Sequence, residues 1–135
     1  RGYALGEYDR TVDRLKELGV HIIVHMIIGL PGETKQDMVS TARYIAGSGV
    51  GGIKLQLLHV IKNTVIEKMY NNSEFDVLSF EEYADILCAC LRVLPPEMVV
   101  HRFTGDGPKK TLVAPMWSTD KKMVLNRLNR IVADL

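Results

Sequence analysis

The stretch that most limits what this chain can fold into is Val20–Asp37, VHIIVHMIIGLPGETKQD. Val20–Ile28 is apolar and largely β-branched, too short to cross a bilayer and interrupted by His21 and His25, so it reads as a buried strand. Gly29-Leu30-Pro31-Gly32 then predicts a turn whose glycines take backbone angles closed to other residues. Thr34 is placed to cap a helix, with Asp37 three residues on favouring the same start. A strand entering a helix through such a turn is the repeating unit of α/β folds, which hold ligands beyond the carboxyl ends of their strands.

The rest of the chain repeats this grammar. Tyr8, Val12, Leu15 and Leu18 recur at helical spacing and predict a helix over Glu7–Leu18, stopped by Gly19. A second helix over Lys35–Ala46 turns Met38, Ala42 and Ile45 inward, and a second strand follows at Ile53–Ile61. After Asn63-Thr64 a short helical segment ends near Tyr70. Ser79 and Glu82 form a capping box, with Leu78 and Tyr83 as its staple. The helix they start buries Phe80, Ala84, Leu87 and Leu91 and stops before Pro95-Pro96. Met98–Thr104 reads as a third strand, Gly105–Pro108 as a tight loop, and a final helix capped by Ser118 runs to about Ala133. Helices alternating with strands through short connections predict right-handed crossovers and a parallel sheet. Three strands make a small sheet with two open edges, and the chain opens Arg1-Gly2 without an initiator methionine. Both features lead us to expect a missing part of a larger barrel or sheet, and open edges that favour a homodimer.

Composition adds bounds. With 135 residues, 47% of them apolar, one core can form. A net charge of +1 does not indicate nucleic acid or an acidic membrane as partner. No signal peptide and no apolar run of transmembrane length is present in this sequence, and we expect a cytoplasmic protein. Cys88 and Cys90, one residue apart in a helical pattern, point to different faces and read as packed thiols. No metal-ligand spacing occurs, and we expect no metal site in this chain.

Strand alternation sorts the candidate functional residues. Ile22, Val24, Met26 and Ile28 would face the helices, and His21, Ile23, His25 and Ile27 the barrel lumen or opposite sheet face. Lys54 and Gln56 would continue the lumen face with Leu58 and Val60. His59 falls on the other parity, near a strand end where a bulge could redirect it. In the third strand either Arg102 and Thr104 or His101 and Phe103 face inward, and the pattern does not choose. Arg102 calls for an anionic partner, either Asp106 or a bound ligand. The glycine turn lacks the spacing of a phosphate loop, and no nucleophile pair or carboxylate dyad identifies catalytic residues. From the residues alone the chain is an α/β half-domain with a ligand turn. The alternative to an enzyme is a stand-alone module binding a small anion near Gly32–Thr34 or Arg102.

The segment Met26–Thr34 resembles the strand and turn in the second half of radical S-adenosylmethionine (radical SAM) enzymes of the elongator, methylthiotransferase and coproporphyrinogen-dehydrogenase types. Lys16–Val20, at the end of the preceding helix, fits them too. Gly52–Val60, Asn63-Thr64, Leu94–Glu97, His101–Pro108 and Ala114–Ser118 resemble a narrower bacterial group described as Fe-S oxidoreductases. The resemblance implies half of a partial (βα)6 TIM-like barrel, its carboxyl-terminal half, with about residues 95–135 as a terminal extension. It implies a [4Fe-4S] cluster and S-adenosylmethionine at the strand ends, and a 5′-deoxyadenosyl radical that takes hydrogen from a substrate. Gly29, Leu30, Pro31, Leu58, His59 and Val60 are the implied cofactor contacts. His25, Gln56, Arg102, Thr104 and Asp106 are the implied candidates for the cofactor carboxylate or the substrate. The family's Cys-x-x-x-Cys-x-x-Cys loop is not in this sequence, and Cys88-x-Cys90 cannot replace it. The amino-terminal barrel half that carries that loop is therefore the implied partner, and this chain by itself is expected to hold no cofactor and to be inert. Asn63 stands where such relatives tend to carry glycine.

Overall fold

The computed structural model describes residues 2–135. Strands β1 (Ile23–Ile28), β2 (Gly52–Leu57) and β4 (Val99–Arg102) form a parallel sheet in the order β1-β2-β4. Helix α1 (Leu5–Glu17) precedes β1. Helix α2 (Lys35–Gly47) joins β1 to β2, and α3 (Val65–Asn71) and α4 (Phe80–Leu91) lie between β2 and β4. This is the α/β arrangement expected from the sequence, with neighbouring strands in chain order as in a βα barrel.

Local chemistry explains where the helices begin. Asp37 N–H donates to Thr34 Oγ1 at 3.2 Å while Thr34 N–H donates to the Asp37 carboxylate at 2.8 Å. Ser79 and Glu82 repeat the device on α4 at 3.1 and 2.8 Å. Each box satisfies two amides that a helix start otherwise leaves without partners.

The core lies on one face of the sheet. Met26, Ile28, Ile53, Leu55 and Leu57 pack with Met38, Ala42 and Ile45 of α2 and Tyr83, Leu87 and Cys90 of α4. Val124 and Leu128 of the last helix, α5 (Lys121–Ala133), close the same cluster. Burying a side chain of the Leu or Ile class stabilises by about 1.5–3 kcal/mol, so this face supplies most of the fold's cohesion. Of the apolar stripe on α1 only Val12 is fully buried, and Leu18, beyond the last turn, is 61% exposed.

Five expectations are corrected. The first strand starts at Ile23 rather than Val20. The second stops at Leu57, and Val60–Ile61 forms a separate strand, β3, antiparallel to β5 (Leu112–Ala114). The third strand spans Val99–Arg102 instead of Met98–Thr104, and it carries a bulge opposite Ile53-Lys54. The last helix is capped by Asp120, whose carboxylate accepts from Met123 N–H at 3.0 Å. Ser118 sits in a 3₁₀ turn, Met116–Thr119, and donates to Pro115 O. Leu91, expected in the core, is partly buried. Among the described residues no helix is long and apolar enough to cross a membrane.

Candidate functional site

Because the sheet is parallel, the carboxyl ends of β1, β2 and β4 share one edge, and the segments that follow them converge there. After β1 the chain turns at Gly29, whose φ of +96° is a conformation that side chains other than glycine rarely adopt. A Cβ on Gly29 would also sit 3.1 Å from Leu78 Cδ1 and 3.8 Å from Leu58 Cβ. The turn is thus pressed against the segment after β2. Leu58 N–H donates to Ile28 O at 2.9 Å, tying the two backbones together, and Gly29 N–H points at Met38 Sδ, 3.2 Å away. Leu30 and Gly32 remain exposed and Pro31 partly so.

The second and third segments meet on His59. A Cβ on Gly107 would lie 2.9 Å from His59 Cδ2, and one on Gly105 would lie 3.5 Å from His59 Cε1 and 3.7 Å from Gln56 Cβ. Glycine serves here by its lack of a side chain, letting the Gly105-Asp106-Gly107 loop close over the imidazole. His59 Nε2 is buried without a hydrogen-bond partner among the described residues. Burial lowers the His59 pKa, against the opposing pulls of the Asp106 carboxylate and the Leu57 carbonyl, so the ring is neutral at pH 7. An unsatisfied buried polar atom costs about 1–3 kcal/mol, and a bound group that hydrogen-bonds to it recovers that loss. The parity rule pointed His59 away from the site. It lapses because the strand has already ended.

The sheet face opposite the core carries His25, Ile27, Lys54 and Gln56, as alternation predicts. His25 Nδ1 and Gln56 Nε2 are 3.5 Å apart. The bulge resolves the ambiguity in β4 by splitting both predicted pairs. Arg102 is in register with Lys54, and the His101 ring lies over Gly52, with Nε2 2.8 Å from where a Cβ would be. Phe103 packs against the core instead, and Thr104 Oγ1 lies 3.4 Å from Gly105 O in the loop. Asp106 pairs with Lys121 at 3.2 Å, while Arg102 has no ion pair among the described residues.

Two supporting residues escaped the sequence reading. Tyr83, legible as an apolar staple, also donates its hydroxyl to Phe103 O at 2.5 Å, fixing the start of the loop. Burial pushes the Tyr83 pKa up, which keeps the donor protonated. Trp117 Nε1–H donates to Leu78 O at 2.9 Å and holds the residue that backs Gly29. The isolated Trp in the Ala-Pro-Met-Trp-Ser stretch was the available signal for it.

The donor sets can be tested against the cofactors that the resemblance implies. Among the described residues no three His, Cys, Asp or Glu side chains converge as metal ligands. Cys88 and Cys90 are buried in α4, and burial pushes the Cys90 thiol up to about 11, away from the thiolate a cluster requires. These residues do not fit a [4Fe-4S] cluster. The glycine turn and the unpartnered His59 Nε2 do fit a polar organic ligand seated at the strand ends.

Residues 50–133 match the sequence model of the family described as Radical_SAM C-terminal domain. The chain therefore belongs to that family. It is 39% identical over 130 residues to the uncharacterized protein YtqA of Bacillus subtilis, covering 96% of this chain and 40% of that protein. It is 30% identical over 130 residues to protein YhcC of Escherichia coli K12, covering 96% of this chain and 42% of that protein. The chain thus spans about 40% of the length of these curated relatives. Among solved structures, Elp3 of the archaeon Methanocaldococcus infernus superposes with a TM-score of 0.73 at 20% identity, covering 84% of this chain and 27% of that one. That likeness concerns the fold: part of a TIM-like radical SAM barrel, parallel strands alternating with helices.

Proposed function

We propose that this chain is the carboxyl-terminal half of a radical SAM barrel and that its strand-end edge forms one wall of an S-adenosylmethionine site. The observation that carries this reading is the meeting of the segments after β2 and β4 at His59, whose buried Nε2 has no partner among the described residues, beside the Gly29 turn that is tied to Leu58, in a chain of this family. Gly29, Leu30 and Pro31 would provide exposed backbone and an apolar surface for the adenosine, and Leu58 and His59 the adjoining wall; Val60, expected beside them, is fully buried where β3 pairs with β5 and only backs that wall. His59, kept neutral by burial, offers a hydrogen bond without bringing a second charge to a cationic sulfonium. His25 and Gln56, 3.5 Å apart on the open sheet face, would face substrate, and the loop that carries Thr104 and Asp106 would shut the far side. The cluster would be held by cysteines of an amino-terminal barrel half, which would cover the open face and edges of this sheet and act as its partner. When bound, the cofactor supplies hydrogen-atom abstraction after its one-electron reductive cleavage. The substrate-side task of this chain is to hold the reactants and exclude water. Alone it would be inert and would self-associate through the edges of β1 and β4.

A polypeptide of the relatives' length that carries this chain, reconstituted with iron and sulfide and then reduced, is expected to convert S-adenosylmethionine to 5′-deoxyadenosine and methionine. A protein that takes up a cluster and never cleaves the cofactor would overturn the reading.

A further inference from the structure

A cavity of about 300 Å³ lies between the segment that ends β4 and the start of α5. We propose that it is a second binding site, for a small ligand that joins a carboxylate or phosphate to an apolar body. It adjoins the cofactor wall proposed above at the Thr104–Asp106 loop and does not depend on that reading. Two cations, Arg102 and Lys121, line it with one carboxylate, Asp106, so the cavity carries excess positive charge. Arg102 is the last residue of an edge strand, and its guanidinium has no hydrogen bond or ion pair among the described residues. Its planar guanidinium matches the two oxygens of a carboxylate or phosphate.

The Lys121–Asp106 pair is about half exposed on both sides, and pairs of that kind contribute little to stability. Lys121 can therefore turn to an incoming anion at small cost. Ser118 spends its proton on Pro115 O and keeps its lone pairs for a ligand donor. Phe103, Val124 and Leu125 give the cavity an apolar floor, which a bare inorganic ion does not use. The volume accommodates about ten water-sized groups at ~30 Å³ each, the size of a small organic acid or phosphate ester. Gly105 lines this cavity, and a Cβ on it would lie 3.5 Å from His59 Cε1, so the two sites adjoin at this residue.

The test is backbone NMR of the chain titrated with inorganic phosphate and, separately, with benzoate. Saturable shifts confined to residues 102–106 and 118–125 are expected, and the tighter probe identifies whether the natural head group is phosphate or carboxylate. Arg102→Gln should weaken binding at least about tenfold, the loss of one charge-assisted hydrogen bond. Arg102→Lys should retain part of it. Leu125→Glu, which sets a negative charge at an already exposed position of the floor, should weaken it as well. Titrations without saturation for both probes, or binding that Arg102→Gln and Leu125→Glu leave unchanged, would refute the site. A flat titration alongside 5′-deoxyadenosine formation by the longer protein would remove this pocket and leave the cofactor wall standing.

Discussion

Met26, Ile28, Ile53, Leu55 and Leu57 on one side of the sheet are at most 4% exposed, while His25, Ile27, Lys54 and Gln56, alternating with them on the same two strands, remain open or half open. The backbone, the register and the neighbours in sequence are shared, so the contrast comes from what covers each side. α2, α4 and α5 cover the first; among the described residues no helix covers the second. The apolar side holds the fold together. The other keeps polar groups that stability does not require, and it runs up to the edge where the segments after β2 and β4 meet at His59. Substitutions should therefore separate by face even between adjacent residues.

The largest effect belongs to the covered side. Leu55→Ala is expected to lower stability by about 2–5 kcal/mol, read as a fall in the urea midpoint. A cost below ~1 kcal/mol would mean that this side is not the core. Gly29→Ala comes next, at about 1–3 kcal/mol, because it forces a side chain into a positive φ against Leu78. Ser79→Ala removes one capping box and should cost ~1 kcal/mol, measured in the same way.

A smaller effect is expected from pH. The unfolded chain protonates a histidine near 6.5, whereas folded His59 takes its proton only at lower pH. Between these values the unfolded state binds more protons, so His59 contributes a loss of stability as the pH falls below 6.5. Replacing it by Gln should flatten the wild-type stability curve there, and parallel curves would contradict the burial of the ring. The smallest effects belong to the open side: His25→Ala and Gln56→Ala should each stay within ~0.5 kcal/mol of wild type in denaturant melts. In the longer protein the same two changes should lower substrate turnover with cofactor binding retained.

The parts of the fold that were legible in the sequence are those decided locally. Thr34–Asp37 and Ser79–Glu82 reach their partners within one turn, and the alternation along Met26–Ile28 and Lys54–Gln56 needs only the pleat. What escaped depends on distant residues. The second strand stops at Leu57 because Val60 and Ile61 pair with Leu112–Ala114, a segment too short to announce itself as a strand. Ser118 and Asp120 are both competent caps, and the 3₁₀ turn at Met116–Thr119 decides between them. Asp106 takes Lys121 rather than Arg102 because α5 brings that lysine alongside, which spacing cannot reveal. The candidate site follows the same division. The Gly29 turn was visible as a motif, and the place of His59 became visible only with the loop of Gly105 and Gly107 closed over it.

The central claim is that this strand-end edge is a wall of the S-adenosylmethionine site, and equilibrium binding of the cofactor tests it most directly. In a reconstituted protein of the relatives' length, His59→Leu keeps an apolar side chain and removes Nε2, while Lys68→Ala on the exposed surface of α3 serves as control. The account predicts about tenfold weaker binding for His59→Leu, ~1.4 kcal/mol, with cluster content unchanged and the control at wild-type affinity. Equal affinity for wild type and His59→Leu would contradict it.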